Sequence, residues 1–242
     1  MSRINWIYFW GLVIVFVLLT GFANKRSSQR TIDKMVIRFT HETGRFLTPK
    51  IVNKMLIQRK DSAYFQQKDM LALNKVETDL LAHPVIKNVQ LYTVPQGKLF
   101  IEITERTPIV RVMGKQSSYY VDETGSALPL SNRYTPIVPL FYGDLGQDKM
   151  SETVHFLSTV RQDSFLSEEL VHLWLKDDQY ILGMRSYPFE VVWGKHQSFE
   201  KKIKKLKRFC VYLEQYPDER IDQVNLTFAQ QVVARHKQGY GK

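Results

Sequence analysis

A single cysteine, Cys210, stands in the 242 residues, so no disulfide closes within the chain and cysteine usage says nothing about redox compartment. Its expected place is that of a small buried apolar residue on a helix. The marks of common catalytic sites are missing too: there is no glycine-rich phosphate loop, no GxSxG elbow, no HExxH and no CxxC. Six histidines are scattered, and the pair His41 and Glu42 has no second ligand at helical spacing, so it reads as a surface turn rather than a metal site. Asp177 and Asp178 form a tight acidic pair at an expected hairpin tip, where turn chemistry accounts for them. Accordingly no metal, no cofactor and no enzymatic activity are expected. Disorder is excluded in the other direction, because 44% hydrophobic residues against 24% charged ones provide a core.

What is present begins with charge in two places. The formal net charge is +10. Residues 1–30 carry Arg3, Lys25, Arg26 and Arg30 with no acid, and residues 195–208 carry seven Lys or Arg against Glu200 alone, so the remainder of the chain balances. Two local features are not the broad basic field of a nucleic-acid binder. Between the first charges lies the uncharged run INWIYFWGLVIVFVLLTGFA, residues 4–23, with Asn5 and Thr20 as its clearly polar side chains. As a helix it reaches about 30 Å, the thickness of a hydrocarbon core, and it is expected to be a single transmembrane anchor after a short N-terminus, residues 1–3. Trp6, Tyr8 and Trp10 suit the headgroup level. A cleaved signal peptide is the rival, given the small residues Gly21 and Ala23, but the apolar run exceeds a signal core. Flanking charge favours a cytoplasmic C-terminal part, although long following domains translocate despite such charge.

Beyond a basic linker, 24–30, two folded units are expected. Ile32–Phe39 alternates as a strand. Thr48 with Pro49 starts a helix bearing Ile51, Val52, Met55 and Leu56 on one face. A second helix is placed from Asn74, with Glu77 as a reciprocal cap, to Pro84. Val89–Thr93 then alternates into a turn at Val94–Gly97, and Leu99, Ile101 and Ile103 return as the paired strand. The order is β-α-α-β-β. Residues 109–235 are mostly strand-like: Tyr119–Gly125 runs into a turn, and Ile137–Tyr142, Val171–Leu175, Tyr180–Met184, Phe189–Trp193 and Val224–Phe228 follow. Ser151 and Ser198 are the expected N-caps of two helices. In the second, Phe199, Ile203, Leu206, Phe209 or Cys210, and Leu213 make an apolar stripe, leaving the lysines of 201–208 as a solvated face.

A β-α-α-β-β unit ending in L-x-I-x-I-x-E-R-x-P (Leu99, Ile101, Ile103, Glu105, Arg106, Pro108) after one span resembles the POTRA domain of the bacterial division family FtsQ/DivIB. Tyr120, Val121, Asp122 and Gly125 resemble that family's Y-V-D-x-x-G turn, and Pro139–Gly143 its P-x-h-x-G strand end (h apolar). Departures are Val110, often Ala, and Val224–Thr227, often V-D-L-R. The resemblance implies an α+β fold: a single N-terminal transmembrane helix, a β-α-α-β-β POTRA domain over 31–107, and a mixed β domain over 108–235 of a bent sheet with two or more helices, then a flexible tail, 236–242. Glu105, Arg106 and Pro108 would form the domain junction.

Gln231, Val232, Val233, Ala234 and Arg235 read as a final strand followed by a tail without periodicity, so its edge is open to another chain unless Arg235 and Lys237 keep it inert. The resemblance implies that this edge receives a division partner, FtsB with FtsL, by strand addition, with Phe228 among the contacts. It also implies the topology: a non-enzymatic scaffold in the cell inner membrane, N-terminus cytoplasmic, folded domains periplasmic, with no nucleic acid and no small-molecule substrate. Two rivals stand beside it, a POTRA-bearing protein of a transport or secretion assembly and a membrane-tethered basic adaptor for DNA or lipid.

Overall fold

The computed structural model describes residues 3–28, 34–40, 44–58, 70–94, 97–216 and 219–236. The pair His41 and Glu42 lies outside them. Helix α1 runs Arg3–Ser28. Its described side chains are Trp6 and residues 8–21, and the apolar ones, such as Leu12, Phe16 and Leu19, are exposed. Among the described residues no helix is long and apolar enough to cross a membrane. The expectation of a span over 4–23 falls partly on side chains outside that set.

The chain divides into two compact units, residues 1–106 and 107–242. In the first, strands β1 (Lys34–Phe39), β2 (Ile86–Val94) and β3 (Lys98–Glu105) form a sheet in the order β1-β3-β2, β1 parallel and β2 antiparallel to the central strand. β3 alternates along its whole length, and Leu99, Ile101 and Ile103 are fully buried. Helices α2 (Pro49–Gln58) and α3 (Met70–Leu81) supply Val52, Val76 and Leu80 to the same core. Thr48 caps α2, its Oγ1 accepting from the Ile51 N–H at 3.1 Å. Asn74 does not cap α3: the helix starts at Met70, and Asn74 lies inside it with its carbonyl accepting from Thr78 Oγ1 at 2.9 Å. Met, Leu and Ala are strong helix formers and carry the helix past the weaker cap signal. The opposite sheet face is open, with Tyr92 stacked on Phe100 at 5.2 Å and Arg38 4.9 Å over Phe100.

The second unit is built on a nine-stranded sheet, β12-β11-β10-β9-β8-β7-β4-β5-β6. Its strands are β4 (Pro108–Met113), β5 (Ser118–Asp122), β6 (Ala127–Leu128), β7 (Leu140–Tyr142), β8 (Leu170–Lys176), β9 (Gln179–Met184), β10 (Glu190–Gly194), β11 (Ile221–Asn225) and β12 (Val233–His236). Two parallel neighbours, β7 with β8 and β10 with β11, are joined through helices α4 (Gln147–Gln162) with α5 (Ser164–Glu169), and α6 (Phe199–Gln215). Both longer helices reach one core, where Phe156 of α4 meets Tyr180, Trp193 of β10 and Phe199 of α6 at 4.7, 5.8 and 6.4 Å between rings. Cys210 is buried in that core, and burial pushes its thiol up to about 11.

Two boundaries in this unit differ from the sequence reading, and one expected cap lacks its bond. β7 keeps only Leu140–Tyr142, because Pro136 and Pro139 cannot donate ladder bonds and Ile137 is left 97% exposed. α4 begins four residues before Ser151, with Gly146 as N-cap and Asp148 favouring the positive end of the helix dipole. Ser198 does occupy the N-cap of α6, but in a left-handed conformation (φ 60°) and without a side-chain cap bond. At the β8–β9 tip Asp177 and Asp178 both take positive φ, 50° and 62°, the backbone a two-residue hairpin turn requires.

Asp163 joins α4, α5 and α6: its carboxylate accepts from the Leu166 N–H at 2.9 Å and from Lys207 Nζ at 2.7 Å. Burial opposes its ionisation, yet these two partners outweigh burial and leave the pKa below the usual carboxylate value. A lowered folded-state pKa gives stability that is complete above the unfolded value, about 4, and lost as pH falls through the folded one. Asp163→Asn is therefore destabilised at neutral pH, and urea melts across acid pH show the gap to the parent chain closing below about pH 4.

Candidate functional site

The nine-stranded sheet ends at β12, antiparallel to β11 through the pairs Asn225–Val233, Val224–Ala234, Gln223–Arg235 and Ile221–His236. Among the described residues no strand pairs with its other side. The strand is two residues later than the sequence suggests. Gln231 and Val232 belong to the preceding loop, where Gln231 is exposed and Val232 packs partly against the core. Along β12 the burial alternates: Val233 is 40% exposed, Ala234 faces the core, and Arg235 is exposed. Arg235 reaches back to Asp222 of β11, donating from Nε and Nη2 to Oδ2 at 3.1 and 2.6 Å. Its guanidinium is thereby drawn along the sheet instead of across the free side. Lys237 lies outside the described residues.

Phe228 does not sit at the end of β11, which stops at Asn225. Leu226 donates its N–H to the Val192 carbonyl at 3.0 Å, prolonging the pairing with β10, and is fully buried. Asn225 Oδ1 then accepts from the Thr227 N–H and hydroxyl at 2.9 and 2.6 Å, a side-chain turn that ends the strand. Lys205 of α6 reaches under the loop and donates to the carbonyls of Leu226 and Phe228 at 3.0 and 2.6 Å. Phe228 is left 45% exposed beside the edge.

Lys205 has a buried neighbour that the sequence reading misplaces. Lys202 is only 9% exposed, donates to the Lys195 carbonyl at 2.6 Å and lies 5.8 Å over the Trp193 ring. Burial, then the charge of Lys205, lowers its pKa, and burial lowers that of Lys205. Position 202 falls three residues after Phe199 and four before Leu206, so the helical spacing that marked the stripe also marked this lysine. With Lys207 on Asp163, three of the helix's lysines are engaged inside the unit and do not form a uniform solvated face.

The expected junction residues have separate roles. Glu105 is buried and accepts from three backbone N–H groups, those of Arg45, Phe46 and Leu47, at 2.7, 3.1 and 2.7 Å. Arg106 donates its N–H to the Val85 carbonyl at 2.8 Å. Pro108 is the first residue of β4, opposite Asp122, just before a register shift. Among the described residues no three His, Cys, Asp or Glu side chains gather as a metal site.

A family model described as FtsQ/DivIB, C-terminal related, matches residues 107–235, and one described as a POTRA-like domain matches residues 34–104. Two proteins called cell division protein FtsQ are similar over 174 residues: that of Salinibacter ruber at 27% identity, and that of Rhodothermus marinus at 29%. These matches span 63% and 64% of this chain, and 65% and 62% of the relatives' own lengths, just under two thirds. The major extracytoplasmic domain of the cell division protein DivIB from Geobacillus stearothermophilus is 19% identical, covering 46% of this chain and 96% of that one, with a TM-score of 0.34 that is too low to support a detailed superposition. The first match takes in over half of the chain and all but the last residue of the nine-stranded sheet, and on that ground the chain belongs to the FtsQ/DivIB family of cell division proteins.

Proposed function

We propose that the chain is a non-enzymatic scaffold of the bacterial division complex that recruits a partner, FtsB with FtsL, by adding the partner's strand to β12. The observation that carries this reading is that β12 ends the sheet with no strand on its outer side among the described residues. Main-chain groups on such an edge supply affinity, and alternate side chains supply selectivity. Val233 and Phe228 are the exposed apolar groups flanking that edge. The two units correspond to a POTRA domain and a β domain, and the uncharged sequence run 4–23, part of whose side chains lie outside the described residues, is the single anchor of this reading, with the folded units in the periplasm. The basic-adaptor reading asks the lysines of 201–208 to act as one solvated face, whereas Lys207 is paired with Asp163 and Lys202 is buried under the Lys195 carbonyl.

Hydrogen exchange tests the reading directly. With FtsB bound, the amides of Val233–His236 exchange more slowly; unchanged rates at β12 in a saturated complex remove strand addition. Phe228→Ala, a change at a half-exposed side chain, leaves the thermal midpoint where it was and weakens partner binding by about tenfold. Fluorescence anisotropy with labelled FtsB reads that loss.

A further inference from the structure

Beside the Phe228 loop lies a groove of about 500 Å³, lined by Lys195, Lys201, Lys202 and Lys205 and by the chain from Leu226 to Gln230. Four ammonium groups line it, and no Asp or Glu does. Among the described residues the acid that pairs with any of them is Asp178, whose Oδ2 is 3.9 Å from Lys195 Nζ, and that carboxylate is held chiefly by Lys149. Lys202 and Lys205 spend donors on backbone carbonyls, which carry only partial charge, so their full positive charges stay uncompensated. α6 opens onto the groove through Ser198 and Lys201, and Ser198 makes no side-chain cap bond to its first turn.

We propose that this groove receives an aspartate or glutamate side chain from the same guest segment that pairs with β12, which makes the partner's docking segment acidic. The proposal rests on the strand-addition reading and adds the chemistry of the guest. Charge complementarity is its ground. Lys202 is already buried in the free protein and Lys205 is half-buried against the loop, so part of their desolvation cost is borne by folding, and an incoming carboxylate gains charge-assisted hydrogen bonds to donors held in place. The position also fits, since the groove is lined by Leu226–Gln230, the chain that leads toward the first residue of β12, Val233. A guest that matched the edge but carried a lysine there would meet four like charges, so the groove rejects as well as selects.

The test uses the full chain in neutral detergent and two short peptides, one alternating Glu and Val and the other alternating Gln and Val. The Glu peptide binds about tenfold more tightly at low salt, and high salt erases most of the difference. Lys195→Glu combined with Lys201→Glu, both at exposed positions outside the core, removes the preference while the Gln peptide binds as before. Equal binding of the two peptides overturns the proposal, as does a preference that survives the double substitution. If the double substitution instead abolishes binding of phosphatidylglycerol vesicles and leaves the peptide preference intact, the groove serves lipid headgroups and the proposal falls. Hydrogen exchange separates its failure from that of the parent reading. A Gln peptide that protects β12 without any preference for acid refutes the groove alone, whereas the absence of protection by either peptide refutes both.

Discussion

On the strand-addition proposal, a chain ending at Phe228 binds FtsB at least about a hundredfold more weakly than the complete one. The cut removes β12 and hands the edge to β11, whose inner side is committed in parallel to β10 and whose outer side carries Asp222 and Asn225. A guest would then meet a strand of opposite direction, one position deeper in the sheet and without Val233. The lost strand contributes Ala234, and the loop Val232, to the periphery of the core, so the second unit melts somewhat lower. The first unit keeps its own three-stranded sheet and its melting transition. Calorimetry on the truncated protein decides the matter: an unchanged affinity, in a protein that still unfolds cooperatively, means that the partner docks elsewhere.

Glu105→Ala lowers the stability of the first unit by about 3 kcal/mol, as much as truncating a buried core side chain. One carboxylate serves three consecutive backbone N–H groups, and it does so at 8% exposure, where water is a poor substitute. Bonds to a charged acceptor are worth more than neutral ones, though three on one group are not additive. The segment it holds contains the buried Phe46 and Leu47 and leads into Thr48, the cap of α2, so losing the acceptor loosens a core contact and a helix start together. Glu105→Gln keeps one carbonyl oxygen and falls in between. Glu102→Ala, three residues away on the open face and bonded to the Tyr92 hydroxyl, changes stability by less than about 0.5 kcal/mol. Equal urea midpoints for the alanine variants at 102 and 105 would show that the three-amide clamp contributes nothing.

Much of the strand content was legible because alternation is a local signal. Leu99, Ile101 and Ile103 announce the buried face of β3 whatever surrounds them, and the Asp177–Asp178 turn announces its own hairpin. Helix starts were read less well. A cap residue competes with the intrinsic preference of its neighbours, so α3 began at Met70, before Asn74, and α4 took Gly146 over Ser151. The six-residue α5 is too short to show periodicity. At the candidate site the sequence located the final strand within two residues, but what shapes its surroundings is nonlocal. The contact of Lys205 with the Phe228 carbonyl joins residues 23 apart, and those of Glu105 join residues about 60 apart. Spacing along one element carries no trace of either.

The Lys205 contacts to Leu226 and Phe228 bear on how quickly a partner can be captured. A loop braced from beneath before any encounter leaves little conformational search to the receiving side, so the kinetic burden shifts to straightening the incoming peptide. Capture then proceeds near the usual rates for protein pairs, about 10⁵ to 10⁷ M⁻¹s⁻¹, and the lifetime of the pair sets its strength. Cutting the brace with Lys205→Met slows arrival, and because it also removes one of the groove's donors to the guest carboxylate, it quickens departure.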